Sequence, residues 1–167
     1  MDEEIGWVEE EGGYKIAEYK SFYGGIEQRW LLVFSEEAYE RERKTLEKKL
    51  KREEEELKQV LWHFRNQEFH CERDAGKAFE ELKEGYKLHV ITGQLEAVDK
   101  YSGRGRPKKG TEKVVIGYRM STTFQKNQEE IGKLLNKKGR FILATNELDS
   151  QGYTSAQILV EYKEQQG

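Results

Sequence analysis

Residues 36–68 constrain the fold more than any other stretch. No glycine or proline interrupts them, and charged residues alternate with strong helix formers. Ser35 stands where an N-cap is needed, and Glu36 and Glu37 follow in the first turn, where the helix dipole favours acids. Positions 39, 43, 46, 50, 53, 57, 60 and 64 recur in steps of four and three. Six of these eight are apolar, namely Tyr39, Leu46, Leu50, Leu57, Val60 and Phe64, with Arg43 and Glu53 as the exceptions. Glu40–Lys44, Glu47–Lys51 and Glu54–Lys58 have the spacing of side-chain ion pairs along a helix. A helix of about 30 residues is roughly 45 Å long. It cannot bury its apolar stripe on itself, so the stripe needs a partner.

The next segment offers one. Asp74 is placed to cap a second helix, whose Ala75, Ala78, Phe79, Leu82 and Tyr86 recur at helical spacing before Gly85 ends it. The pattern predicts an antiparallel hairpin turning near residues 69–71. The alternative is a coiled-coil module that pairs between molecules and does no enzymatic work.

Strands surround this hairpin. Residues 7–10, 14–23 and 29–34 read as three, separated by Gly12-Gly13 and Gly24-Gly25. The third is apolar on both faces and is expected to be the most buried. Residues 87–97 and 113–124 read as two more, the second with Val114, Ile116, Tyr118, Met120 and Phe124 on one face. A third helix is predicted from Asn127, paired with Glu130 as a capping box, to Gly139. A short buried strand at 141–145 follows, and Thr154 with Gln157 opens a last helix. The expected class is α+β: a small, mostly antiparallel sheet with a projecting long helical hairpin. The expected divisions are strands at 1–35, the helical hairpin at 36–86, a β hairpin with a short helix at 87–139, and a terminal strand and helix at 140–167.

Composition excludes some functions. The 29 basic and 32 acidic residues nearly cancel, so only the local distribution of charge can point to a partner. Cys71 is the single cysteine, which rules out an intrachain disulfide and favours a reducing compartment. The longest apolar run, Trp30 to Phe34, is far too short to span a membrane, and the acidic start Met1-Asp2-Glu3-Glu4 is unlike a secretory leader. A cytoplasmic location is expected. His63, His70, Cys71 and Glu72 have no common zinc-finger spacing and are read as structural, with no metal assigned.

One charge cluster stands out. Lys100, Arg104, Arg106, Lys108, Lys109 and Lys113 face a single acid, Glu112, in a segment holding the only proline. Arg104-Gly105-Arg106-Pro107 resembles the core of an AT-hook, narrow and extended enough for an A·T-rich minor groove. Arg104, Arg106, Lys108 and Lys109 are therefore the candidate DNA-binding residues. A solvated hairpin tip is the other reading.

The last third carries a resemblance. Gly139-Arg140-Phe141-Ile142-Leu143-Ala144-Thr145-Asn146, then Leu148-Asp149, Ile158-Leu159 and Tyr162-Lys163-Glu164-Gln165 resemble insertion-sequence DDE-type transposases. Gln28-Arg29-Trp30-Leu31-Leu32-Val33, the charged helix after Ser35, and Gly105-Arg106-Pro107-Lys108-Lys109 stand upstream in the same order as in that family, so the likeness covers about residues 14–166. It implies a ribonuclease-H-like core interrupted by an insertion, and metal-assisted strand cleavage and transfer at transposon ends. That chemistry takes three carboxylates holding two Mg²⁺ ions roughly 4 Å apart. Tyr162 fits the first place of the family's Tyr, Arg, Glu, Lys signature, while Gln165 stands where Arg is commoner. The resemblance puts both aspartates before residue 1 and the glutamate two residues beyond Gly167. Asp149, Glu161 and Glu164 are the acids nearest that region. The expectation is a catalytically incomplete transposase fragment that binds DNA and associates with intact transposase or with itself. It takes up no cofactor alone, and its last strand and helix belong to the truncated core.

Overall fold

The computed structural model describes residues 5–102, 106 and 109–165. In chain order the elements are β1 (Val8–Glu10), β2 (Tyr14–Tyr23), β3 (Ile26–Ser35), α1 (Glu36–Asn66), α2 (Glu72–Glu84), β4 (His89–Tyr101), β5 (Lys113–Lys126), α3 (Gln128–Leu135), β6 (Arg140–Thr145) and α4 (Ser155–Glu164). The class is α+β, and all strand pairs among the described residues are antiparallel. The chain divides into two compact units, one of Met1–Leu46 with Leu135–Gly167 and one of Glu47–Leu134. None of the helices formed by the described residues is long and apolar enough to cross a membrane.

The first unit is a four-stranded sheet in the order β1-β2-β3-β6. Tyr23 pairs with Ile26 across the two-residue Gly24-Gly25 turn, whose φ values of 61° and 82° are ones that glycine tolerates best. β3 lies inside the sheet, but its burial alternates. Arg29, Leu31, Val33 and Ser35 are buried on one face, and Trp30, Leu32 and Phe34 are half-buried on the other. The expectation of burial on both faces fails because a single helix, α4, packs on one of them. Leu159 of α4 closes a core with Ile16, Leu31 and Val33, flanked by Tyr14, Phe141, Leu143, Ile158 and Tyr162. β6 is an edge strand, so it is exposed at alternate positions and not buried as expected.

Helix boundaries follow the capping chemistry. Ser35 Oγ accepts the Ala38 amide at 3.3 Å and opens α1. Thr154 and Gln157 form the predicted capping box on α4, with the Gln157 amide 3.3 Å from Thr154 Oγ1 and the Thr154 amide 2.8 Å from Gln157 Oε1. Asn127 Oδ1 accepts the Glu130 amide at 3.3 Å, but α3 ends at Leu135, short of Gly139.

The second unit joins the C-terminal part of α1, α2 and the β4–β5 ribbon around one core. Leu57, Leu61, Phe64, Phe69, Ala75, Phe79, Ile91 and Met120 are its buried members. Phe64 and Phe79 link α1 to α2, with ring centroids 6.3 Å apart. Leu61 takes the buried place expected of Val60, which is only half-buried. A straight helix turns every 3.6 residues, so a 3.5-residue stripe drifts along it. Cys71, not Asp74, holds the N-cap position of α2 and makes no side-chain capping bond. Phe69 exchanges two 2.8 Å backbone hydrogen bonds with Tyr118, tying the α1–α2 turn to β5. Glu54 is drawn 3.2 Å from Lys126, and Lys58 pairs instead with Glu55 at 2.6 Å. His89 is buried, with its Nδ1 2.7 Å from Glu53 Oε1.

Candidate functional site

The β4–β5 ribbon has two different halves. Near its base, Ile91 and Met120 are buried and Thr122 accepts a hydrogen bond from Arg65 Nε at 3.2 Å. The register then shifts between Val98 and Asp99. A bulge of this kind bends a ribbon and increases its twist. Beyond it Tyr101, Val114, Val115 and Ile116 are exposed. The single apolar face expected of residues 114–124 therefore breaks up: Met120 is buried, Tyr118 and Phe124 are half-buried, and Val114 and Ile116 face solvent.

The predicted basic cluster lies at the exposed end of this arm. Arg106 and Lys109 are exposed there, and Arg104 and Lys108 lie outside the described residues. Lys113 Nζ sits 5.5 Å from the centre of the Tyr101 ring. The Ser102 amide and hydroxyl each lie 3.2 Å from the Glu112 carbonyl and close the ribbon below the tip. The result is a narrow two-stranded arm bearing Lys100, Arg106, Lys109 and Lys113, with Glu112 as a nearby acid. Cations on a narrow support can approach a nucleic-acid backbone without a clash, and a two-stranded ribbon fits the major groove as well.

The signature residues lie elsewhere, on α4. Tyr162 is half-buried, with its ring 5.2 Å from that of Phe141. Gln165 is the C-cap, and its amide is directed at the carbonyls of Glu161 and Lys163. Tyr162 and Gln165 thus share one helix end, in a different unit from the basic tip.

Asp149, near them, is engaged in local structure. Asp149 Oδ1 accepts the amides of Gln151 and Gly152, each at 3.0 Å, as in an Asx turn. Those bonds, the Gly152 one first, hold its carboxyl below the ordinary aspartate range. The neighbouring Glu161 carboxylate raises the pKa of the Tyr153 phenol. Among the described residues, no group of three or more His, Cys, Asp or Glu is arranged to hold a metal ion.

Arg29 was missed in the sequence. It is only 2 % exposed although it sits in a strand read as apolar. Its Nη1 donates to the Tyr153 carbonyl at 2.7 Å and its Nη2 to Ser155 Oγ at 2.9 Å. Its Nε lies 3.0 Å from Glu18 Oε1, an ion-pair contact outside hydrogen-bond alignment. Ser155 Oγ donates in turn to Glu18 Oε2 at 2.7 Å. Arg29 therefore fastens the start of α4 to β2 and β3. One sequence clue exists: Arg29 has the same parity as Leu31 and Val33, the buried residues of its strand.

No family model, curated protein or solved structure matches the chain.

Proposed function

We propose that the chain is a DNA-binding part of an insertion-sequence DDE-type transposase. In this reading Glu47–Leu134 is the inserted lobe, its ribbon is a DNA-contacting arm, and β6 with α4 is a strand–helix piece of a ribonuclease-H-like core. The observation that carries the reading is the nesting of the two units: a continuous compact unit interrupts a discontinuous one. The resemblance calls for an interrupted core of this kind. The ordered residues from Gln28 to Gln165 support it from the sequence side.

The chain's own contribution in this reading is DNA contact. Asp149 is engaged in a local turn, so pure protein with Mg²⁺ or Mn²⁺ is expected not to nick transposon-end DNA. Nicking that disappears in Asp149→Ala would overturn that expectation. Contact is tested by titrating labelled A·T-rich and G·C-rich duplexes at several salt concentrations. One arm should bind weakly, in the ~10⁻⁴–10⁻⁶ M range of non-specific binding at physiological salt. Replacing Lys108 and Lys109 by Ala should flatten the salt slope by about two units if both touch phosphate. Replacing Arg104 and Arg106 should also remove any A·T preference. Equal affinity for both duplexes would sink the minor-groove form, and binding unchanged without all four charges would sink the arm as the contact.

A further inference from the structure

The first unit holds a cleft of about 460 Å³ that the reading above does not use. The first turns of α1, the start of β6 and the C-terminal half of α4 form its walls. Its volume is within the range of small-ligand sites, roughly 300–1,000 Å³.

Its chemistry has two parts. The aromatic part is Tyr14, Phe141 and Tyr162, all half-buried, with the last two rings tilted 31° to each other. The cationic part is Arg41 and Lys163, both exposed at the rim. Neither pairs with a carboxylate among the described residues. Lys163 Nζ instead lies 3.6 Å from the centre of the Tyr14 ring, which sets a cation directly beside the aromatic wall. Arg140 also lines the cleft, with its guanidinium 5.6 Å from the Trp7 ring. Two acids are present. Glu42 is neutralised by Lys138 at 3.3 Å, and Glu37 stands without a cation partner among the described residues. The balance at the rim is positive.

An aromatic wall beside cations that no described carboxylate pairs with suits a ligand with a flat ring and a phosphate. Rings accept any base by stacking, and Arg and Lys take the phosphate through charge-assisted hydrogen bonds. We propose that this cleft binds a nucleoside phosphate, either free or as one unit of a single strand. The proposal rests on the cleft's own chemistry and is independent of the reading that gives duplex contact to the arm.

The test is fluorescence anisotropy with a short labelled single-stranded DNA, competed by deoxyadenosine monophosphate, deoxyadenosine or inorganic phosphate. The nucleotide should compete at least about tenfold better than the nucleoside or phosphate, since each of those offers half of the recognised chemistry. The double variant Arg41→Ala, Lys163→Ala should weaken binding about tenfold or more, with only a small fall in melting temperature, since both side chains are exposed and the Lys163–Tyr14 contact alone is lost. Glu37→Gln should tighten binding about two- to threefold. A strand that binds more tightly than the mononucleotide identifies nucleic acid as the source, and equal affinity identifies the free nucleotide. Absence of binding by the unaltered protein, affinity unchanged in the double variant, or competition by phosphate equal to that by the nucleotide would each overturn the proposal.

Discussion

The two units close their cores by different means. In the second, α1, α2, β4 and β5 meet around Leu57, Leu61, Phe64, Phe69, Phe79, Ile91 and Met120, an apolar cluster with the buried His89–Glu53 contact as a polar neighbour. In the first, α4 places Leu159, flanked by half-buried Ile158 and Tyr162, against Ile16, Leu31 and Val33, and a buried arginine supplements that contact. The other face of that sheet keeps Tyr19, Tyr23, Ile26 and Ile142 exposed. Area buried scales with apolar stabilisation, whereas a buried ion pair mainly fixes geometry at a large desolvation cost. The second unit should therefore be limited by packing, and the first by the integrity of one polar fastener.

The largest break in this contrast should come from Leu57→Asp. Leu57 is fully buried, and an aspartate there would be an unpaired charge as well as lost packing. A cost of about 4 kcal/mol is expected, and thermal or urea unfolding measures it. A variant of unchanged stability that turns a dimer into a monomer would make the α1 stripe an intermolecular seam instead.

Arg29→Ala should come next, at about 2–3 kcal/mol. It leaves the Tyr153 carbonyl without its donor and deprives Glu18 of its cation, but Glu18 is 36 % exposed and can rehydrate. Arg29→Lys should recover little of the loss, because an ammonium cannot reproduce the guanidinium's planar set of donors. If Arg29→Lys restored full stability, the fastener would be simple charge neutralisation. Hydrogen exchange should place the loosening at α4 and leave the amides of the second unit unchanged.

Gly139→Ala should follow, at about 1–2 kcal/mol or more. Its φ is +68°, and an added Cβ would lie 2.6 Å from Tyr39 Cβ and 2.8 Å from the Ser35 carbonyl oxygen. Both obstacles lie at the β3–α1 junction, and one of them is backbone, so the chain has little freedom to yield. A neutral result would mean that the β6–α1 approach is loose.

The contrast also explains which features could be read from the sequence. The apolar core of the second unit is visible because helical periodicity marks it, and Leu61 takes the place of Val60 because a 3.5-residue stripe drifts on a helix of 3.6 residues per turn. Strand positions were likewise visible from turns such as Gly24-Gly25. Burial within strands was not. Which face of residues 29–34 meets α4, and where the ribbon leaves its core, depend on elements distant in sequence. Arg29 was hidden for the same reason, since its partners Tyr153 and Ser155 lie more than 120 residues away. The basic tip was legible as composition alone, and the link to a catalytic core comes from resemblance rather than from any periodic pattern.

The smallest expected effect is a pH dependence confined to the turn after β6. Asp149 accepts the Gly152 and Gln151 amides, and these bonds hold its native carboxyl below the ordinary range. An acid whose native pKa is depressed contributes its stabilisation in full above its unfolded pKa and loses it as pH falls through the native value. The turn should therefore be indifferent to pH near neutrality and loosen only in acid, below the usual aspartate pKa. The amide proton shifts of Gly152 and Gln151, followed by NMR from neutral to acid pH, should move together through one inflection in that range. Asp149→Asn should remove the inflection while keeping the turn, because the amide oxygen can still accept both bonds. An inflection that survives in Asp149→Asn would assign the titration to another group, and Asp149 would then contribute nothing to the pH response at the start of α4.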